Sequence, residues 1–152
     1  MDDGLFDEVA EAVRGLVPPD VGQLHLRARR WGVKAWFGTA DPGKEHFEAQ
    51  VISSSLVPGA RVLGLEIGFH AEHREPERNA AVIAALLDRE VAWRTVLGEE
   101  ATAGGFLGRP DQWQRVSEAW IDPNLDDVNL GWEIATRLTD YITALEPLRR
   151  LG

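Results

Sequence analysis

The chain has 152 residues, no cysteine, and 16 basic against 25 acidic residues, which gives a net charge of −9. The lack of cysteine excludes disulfides, thiolate zinc sites and cysteine catalysis, and so acidic a surface argues against a general nucleic-acid binder. We expect a single globular domain over residues 1–152 in the cytoplasm, because no basic and apolar leader and no apolar run of membrane-spanning length is present.

The first half of the chain predicts one helix followed by four strands. Apolar residues recur at helical spacing over residues 5–17, and two prolines follow that segment. Apolar and polar residues alternate over 24–29, 33–38, 46–53 and 61–70, which is the pattern of half-buried strands. Because the connections between these segments are short, we expect an antiparallel meander.

The second half predicts a helix, a strand and a helix. Pro76 suits the first turn of a long helix whose apolar stripe extends to a C-terminal cap at Gly98. Residues 98–112 look like a loop, 113–121 like a strand, and 130–145 like a final helix that ends before Pro147. The predicted order α-β-β-β-β-α-β-α indicates a two-layer α+β fold, with helices packed on one face of a mostly antiparallel, five-stranded sheet.

One face of the third and fourth predicted strands is unusually polar. Alternation places two histidines, two carboxylates, an amide and two glycines on this face: His46, Glu48, Gln50, Gly64, Glu66, Gly68 and His70. Glycines leave room above a strand, so this face predicts a small pocket with a glycine floor, and His46 and His73 are candidates for its rim. The alternative interpretation is an ordinary solvated face of an antiparallel sheet.

Imidazole and carboxylate groups at alternate strand positions can also form a metal site. The metal-ligand candidates are His46, Glu48, Glu66 and His70, of which Glu48, Glu66 and His70 are also the catalytic candidates. The segment Glu48-Ala49-Gln50 with Asp41 upstream resembles the restriction-endonuclease-like family, which holds magnesium with an acid on one strand and acid-x-lysine on the next. In this chain the lysine is absent and there is an extra strand; Glu48 with Glu66 is a second way to supply the two acids.

The predicted second element, residues 24–29, carries a basic face. His25, Arg27 and Arg29 alternate along it and Lys34 follows, so this face can bind a phosphate or carboxylate, or protect a strand at the sheet edge. Six tryptophans are also present, and tryptophan is common both in cores and at interfaces. The residues predicted to contact a ligand are Arg27, Trp31, Trp36, Gln50, Gly64 and Gly68.

Three functional interpretations follow. The first is a non-catalytic binding protein that recognises a protein segment or a small ligand, with no cofactor, no general nucleic-acid binding and no membrane contact. The second is a metal-dependent hydrolase or phosphodiesterase, in which a divalent ion held by the polar strand face activates water. The third is a homodimer whose function depends on the assembly.

Overall fold

The structure is a computed structural model, and it describes residues 4–39 and 43–151. Within these ranges, four helices and a six-stranded antiparallel sheet form an α+β fold. The helices are α1 (Leu5–Leu16), α2 (Pro76–Leu87), α3 (Glu90–Leu97) and α4 (Leu130–Arg149), and the strands are β1 (Leu24–Arg29), β2 (Gly32–Phe37), β3 (Glu45–Ser53), β4 (Leu63–Ala71), β5 (Thr102–Phe106) and β6 (Arg109–Ile121). None of the described helices is long and apolar enough to cross a membrane.

The strands lie in the order β1-β2-β3-β4-β6-β5, so that β3 and β4 occupy the middle of the sheet. Helices α1 and α4 pack against each other and against the strands, and α2 contacts β6. The apolar residues of the central strands, among them Phe47 on β3 and Leu65, Ile67 and Phe69 on β4, are buried in the core beneath this helical layer. Strand alternation therefore turns the polar residues of β3 and β4 toward the opposite face of the sheet.

The predicted number of five strands is wrong. The segment 98–112, expected as a loop, contains β5 and the first residues of β6, which form an antiparallel hairpin. The glycines that suggest a loop serve this hairpin instead: Gly108 has a φ of 87°, and a Cβ on Gly105 would lie 2.8 Å from the Cβ of Pro110. Glycine at position 105 thus permits a close approach that any larger residue would prevent.

Two helices also differ from the prediction. The expected long helix is divided into α2 and α3. The fully buried Trp93 donates its indole N–H to the carbonyl of Leu86 at 2.8 Å, and this carbonyl at the end of α2 also accepts from the backbone N–H of Arg89 at 3.0 Å. The final helix continues through Pro147 to Arg149. Its last turn is held by the buried carboxylate of Glu146, which pairs with Arg149 at 2.8 Å.

Candidate metal centre

The pairing of β3 with β4 brings two histidines and two carboxylates together on the face of the sheet away from the helices. His46 lies opposite His70 in the register, and Glu48 lies two residues further along β3. Glu72 follows the end of β4, and its backbone N–H donates to the carbonyl of Lys44 at 2.7 Å, which extends the pairing by one residue. The side chains of His46, Glu48, His70 and Glu72 form a group that we call the His–Glu cluster.

Each histidine of the cluster is oriented by a hydrogen bond from its outer ring nitrogen. Nδ1 of His46 lies 3.1 Å from the carbonyl oxygen of Gly43, which can only accept, so this nitrogen carries a proton. Nε2 of His70 lies 2.7 Å from a carboxylate oxygen of Glu66 and donates to it. Histidines that bind metals are commonly held in this way, with one nitrogen donating to a carbonyl or carboxylate and the other directed at the ion.

The inner nitrogens of both histidines face the same two carboxylates. Nε2 of His46 lies 3.1 Å from Glu48 and 3.7 Å from Glu72. Nδ1 of His70 lies 3.2 Å from Glu48 and 3.3 Å from Glu72. Two ligands that each bind one ion at about 2.1 Å are at most about 4.2 Å apart, and these histidine–carboxylate distances are within that limit. The ligand atoms of all four residues lie within 4.8 Å of one another, so the group is compact enough to be a candidate metal site.

Nδ1 of His70 is the most informative atom of the cluster. His70 is fully buried, and this nitrogen makes no hydrogen bond of ordinary geometry, although carboxylate oxygens of Glu48 and Glu72 lie 3.2 and 3.3 Å from it. A buried imidazole nitrogen this close to two carboxylates shares a cation with them, either a proton or a metal ion. Its position between Glu48 and Glu72 therefore suits a metal ligand as well as a protonated imidazole.

The electrostatics of the cluster favour a positive charge at its centre. Burial acts to raise the pKa of Glu48, but His46 and His70 outweigh burial and lower it to about 2. Burial likewise acts to raise the pKa of Glu66, but the charge of His70 outweighs it and lowers the pKa. Burial alone would lower the pKa of His70, but the charge of Glu66 and the nearby Glu48 and Glu72 raise it well above its ordinary value. Glu48 and Glu66 are therefore ionised and face a compensating cation, either a proton on imidazole or a metal ion.

A cavity of about 290 Å³ adjoins the cluster. Its polar lining consists of Lys34, Glu48, Gln50, Glu66 and Glu72, and its apolar lining of Ile52, Leu56, Phe106, Leu107 and Trp113. The ring of Phe106, at the end of β5, lies 4.7 Å from that of His70 and shields the histidine from water. Apolar walls with a few convergent polar groups are typical of small-molecule sites.

Two predicted site residues have roles other than those expected. Glu66 lies outside the group of four ligands and instead accepts hydrogen bonds from His70 and from the amide of Gln50, the latter at 2.9 Å. Trp36 is buried, donates its indole N–H to the carbonyl of Thr39 at 2.8 Å, and stacks on His25. Glu66 therefore orients His70, and Trp36 contacts His25 on β1 and the residues that follow β2.

The expected glycine floor is not found, since both glycines accommodate other parts of the protein. A Cβ on Gly64 would lie 2.5 Å from a methyl group of Val57. A Cβ on Gly68 would lie 2.3 Å from the carbonyl oxygen of Val116 on β6. Both residues are buried and neither lines the cavity, whose floor is formed by polar side chains instead.

Sequence reasoning missed Glu72 as a candidate ligand, because the predicted strand ended at His70. The alternation Glu66, His70, Glu72 was the signal that could have found it, since even-numbered residues of an extended strand share one face. His73, expected near the rim, contacts Glu45 at 2.7 Å and Asn79 instead.

The resemblance to the restriction-endonuclease-like family has partial counterparts in the structure. Glu48 and Gln50 lie on a central strand and face the cavity, as that pattern predicts. Gln50, at the position of the missing lysine, donates to Glu66. Asp41, the upstream acid of the pattern, lies outside the described residues. Comparisons with protein-family models, with curated proteins and with solved structures find no match to this chain.

Proposed function

We propose that this protein is a metal-dependent hydrolase, in which His46, Glu48, His70 and Glu72 hold one divalent ion at the wall of the cavity. The observation that carries this proposal is the paired orientation of the two histidines. Each donates outward from one ring nitrogen and directs the other at the same two carboxylates.

The donor set favours a first-row transition ion. Two imidazoles and two carboxylates suit Zn²⁺, Mn²⁺ or Fe²⁺, whereas Mg²⁺ and Ca²⁺ prefer oxygen ligands alone. By the usual order of affinities, Zn²⁺ is expected to bind more tightly than Mn²⁺.

The position of the cluster favours catalysis over a purely structural role. The apolar core lies on the helical side of the sheet, so the fold has its own source of stability away from the cluster. Glu48 and Glu72 line the cavity, so a substrate there has access to an ion held by them. Such an ion polarises the bond to be cleaved and lowers the pKa of a bound water. Lys34, in the same cavity, can stabilise negative charge that develops on the substrate.

A metal titration tests the proposal. We expect Zn²⁺ and Mn²⁺ to raise the midpoint of thermal unfolding, with a stabilisation of about 2.7 kcal/mol at a hundred times the dissociation constant, and Mg²⁺ to have little effect. Glu72→Gln keeps the size of the side chain and removes one ligand charge, so we expect it to weaken Zn²⁺ binding by at least about tenfold. Glu77→Gln, an exposed change in the first turn of α2, is the matched control.

The outcomes separate the functional interpretations. Hydrolysis of p-nitrophenyl acetate or p-nitrophenyl phosphate by the metal-loaded protein, lost in Glu72→Gln and retained in Glu77→Gln, supports the hydrolase. Metal binding without hydrolysis of either ester rejects catalysis and favours the non-catalytic binding protein. If no ion raises the midpoint, the cluster is a network of ion pairs around a protonated His70, and the proposal is wrong.

A further inference from the structure

A second cavity, of about 350 Å³, lies over β1, β2 and the adjoining part of β3. Four of its nine lining residues are basic and one is a tryptophan: Arg27, Arg29, Arg30, Trp31, Gly32, Lys34, Glu48, Gln50 and Val51. We call this cavity the basic groove. It shares Lys34, Glu48 and Gln50 with the cavity beside the His–Glu cluster, so the two cavities meet at these residues.

The register of the strands explains how the basic groove forms. Arg27 on β1 lies opposite Lys34 on β2, and Lys34 lies opposite Glu48 on β3. Paired residues of antiparallel strands share one face, so this row of side chains leads from the sheet edge to the candidate metal centre. Arg29 lies two residues beyond Arg27 and therefore faces the same side.

Three cations of the groove, Arg27, Arg29 and Lys34, are available to a ligand. Within residues 4–39 and 43–151, no carboxylate forms an ion pair with Arg27, Arg29 or Lys34, although the protein as a whole has a net charge of −9. Glu48 lies across from Lys34, but its carboxylate is directed at His46 and His70. Arginines on an edge strand such as β1 can also serve to prevent that edge from pairing with another chain. This explanation alone predicts no binding of an anion to the groove.

We propose that the basic groove binds the phosphoryl group of the substrate, so that the hydrolase acts on phosphate esters; this inference rests on the function proposed above. Arginine binds phosphate through two parallel N–H donors, and Lys34 lies where the groove meets the metal-side cavity. Trp31, which is 49 % exposed at the groove, offers a surface for the organic part of the ester. The acidic remainder of the surface repels long polyanions, which favours small phosphate esters as substrates.

The reaction is hydrolysis of the phosphorus–oxygen ester bond. The water oxygen bonds to phosphorus, and the ester bond breaks with its electron pair remaining on the ester oxygen. One proton of the water is transferred to that oxygen. The balanced step is R–O–PO₃²⁻ + H₂O → R–OH + HPO₄²⁻. Arg27, Arg29 and Lys34 offset the charge of the phosphoryl oxygens while the bonds change.

Binding of phenylphosphonate, a phosphate-ester analogue that is not hydrolysed, tests this inference. Isothermal titration calorimetry measures its affinity for the metal-free and the Mn²⁺-loaded protein. We expect the double variant Arg27→Ala, Arg29→Ala to weaken binding by about tenfold or more in both forms, because two charge-assisted contacts are lost. The control Arg78→Ala, Arg89→Ala removes the same charge from exposed positions in and beside the helices, and should leave the affinity unchanged.

Mn²⁺ affinity, measured on the same variants, distinguishes this inference from the proposed function. If the groove variant binds Mn²⁺ as the wild type does but binds phenylphosphonate more weakly, the result supports both the metal site and the phosphate assignment. If Mn²⁺ binds but the wild type and the groove variant bind phenylphosphonate equally well, the phosphate assignment is wrong and the metal site stands. The same conclusion follows if Mn²⁺ binds and phenylphosphonate does not bind at all. If phenylphosphonate binding depends on the arginines but Mn²⁺ does not bind, the proposed hydrolase is wrong and the groove is an anion site only. Benzoate that binds as tightly as phenylphosphonate would overturn the preference for phosphate.

Discussion

His70 is fully buried between three carboxylates, those of Glu48, Glu66 and Glu72. The three do not act in the same way. Glu66 accepts from Nε2, while Glu48 and Glu72 lie near Nδ1, which makes no hydrogen bond. The local geometry therefore assigns Glu66 to hold the ring and the other two acids to share whatever cation lies at Nδ1.

A substitution of Glu66 tests this positioning role. Glu66→Gln keeps the shape of the side chain but removes the charge that holds the Nε2–H of His70. We expect Zn²⁺ affinity to fall by about 10- to 100-fold, the range found when an outer partner of a metal ligand is lost. Calorimetry measures the affinity, and nitrogen NMR of the Zn²⁺-loaded protein shows whether Nε2 of His70 still carries its proton in a hydrogen bond.

Glu118→Gln provides the control for Glu66→Gln. Glu118 is also buried, but it pairs with Arg137 at 2.7 Å and accepts from Tyr141, away from the His–Glu cluster. We expect this variant to lose stability and to retain Zn²⁺ affinity. Equal losses of affinity in both variants would mean that Glu66 acts only through general stability.

Among the elements, β4 is paired on both sides, with β3 and with β6, and it carries Glu66 and His70. Gly68 lies between these two residues. Its space is filled by the backbone of β6, since a Cβ there would lie 2.3 Å from the carbonyl oxygen of Val116 and 2.5 Å from the Cα of Ser117. Backbone atoms of a central strand cannot move aside easily, so the glycine is required by packing.

A pair of glycine substitutions tests this packing. We expect Gly68→Ala to lower the free energy of unfolding by about 3 kcal/mol, because the added methyl group separates β4 from β6. Gly15→Ala is the matched change in α1, where a Cβ meets nothing within 4 Å, and should stabilise the protein by about 0.5–1 kcal/mol. Urea denaturation measures both, and a Gly68→Ala protein as stable as the wild type would contradict the close contact.

Asp122 follows the end of β6 and joins it to the segment that leads into β4. This residue has a φ of 46°, and its carboxylate accepts from the backbone N–H groups of Arg61, Val62 and Leu63, with the shortest distance 2.7 Å to Val62. These hydrogen bonds lower the pKa of Asp122 below its ordinary value of 3.8. The ionised side chain therefore ties the segment leading into β4 to the end of β6.

The lowered pKa gives this tie a predictable pH dependence. A carboxyl group with a lowered pKa in the folded state contributes stability above pH 3.8, and this contribution is lost as the pH falls through the folded value. Asp122→Asn retains a residue that tolerates positive φ and removes the charge. We expect the thermal unfolding midpoint of this variant to lie below that of the wild type at pH 6, and the difference between the two midpoints to narrow below pH 3.8. A difference that does not change with pH would show that the charge of Asp122 is not its cause.

Across the whole molecule, charge is distributed unevenly. The net charge is −9, yet the basic groove lies at one edge of the sheet and the His–Glu cluster in the middle of the same face. The helices cover the other face, so the two cavities lie on the side of the sheet that the core does not use. The apolar core thus lies on the helical face, and the two cavities with the His–Glu cluster lie on the open face. A homodimer and a cytoplasmic location stay predictions.

Local pattern in the sequence determined the first helix, the first four strands and the face of the sheet on which His46, Glu48, Glu66 and His70 lie. Strand alternation has a period of two, so each residue's face follows from its position within its own strand. The same argument placed Arg27 and Lys34 on one face. It failed for residues 98–112, because Gly and Pro that usually mark a loop here permit two strands of a hairpin to approach closely.

Only the tertiary structure decided which of these side chains form a site. The registers of β3 with β4 and of β2 with β3 brought together residues distant in the chain, and alternation does not encode register. Glu72 joins the His–Glu cluster because the pairing continues past the end of β4, and Glu66 orients His70 because it contacts the outer nitrogen of that ring. The ring of Phe106, some 36 residues away, packs on His70, so the buried surroundings of its Nδ1 are a property of the assembled fold.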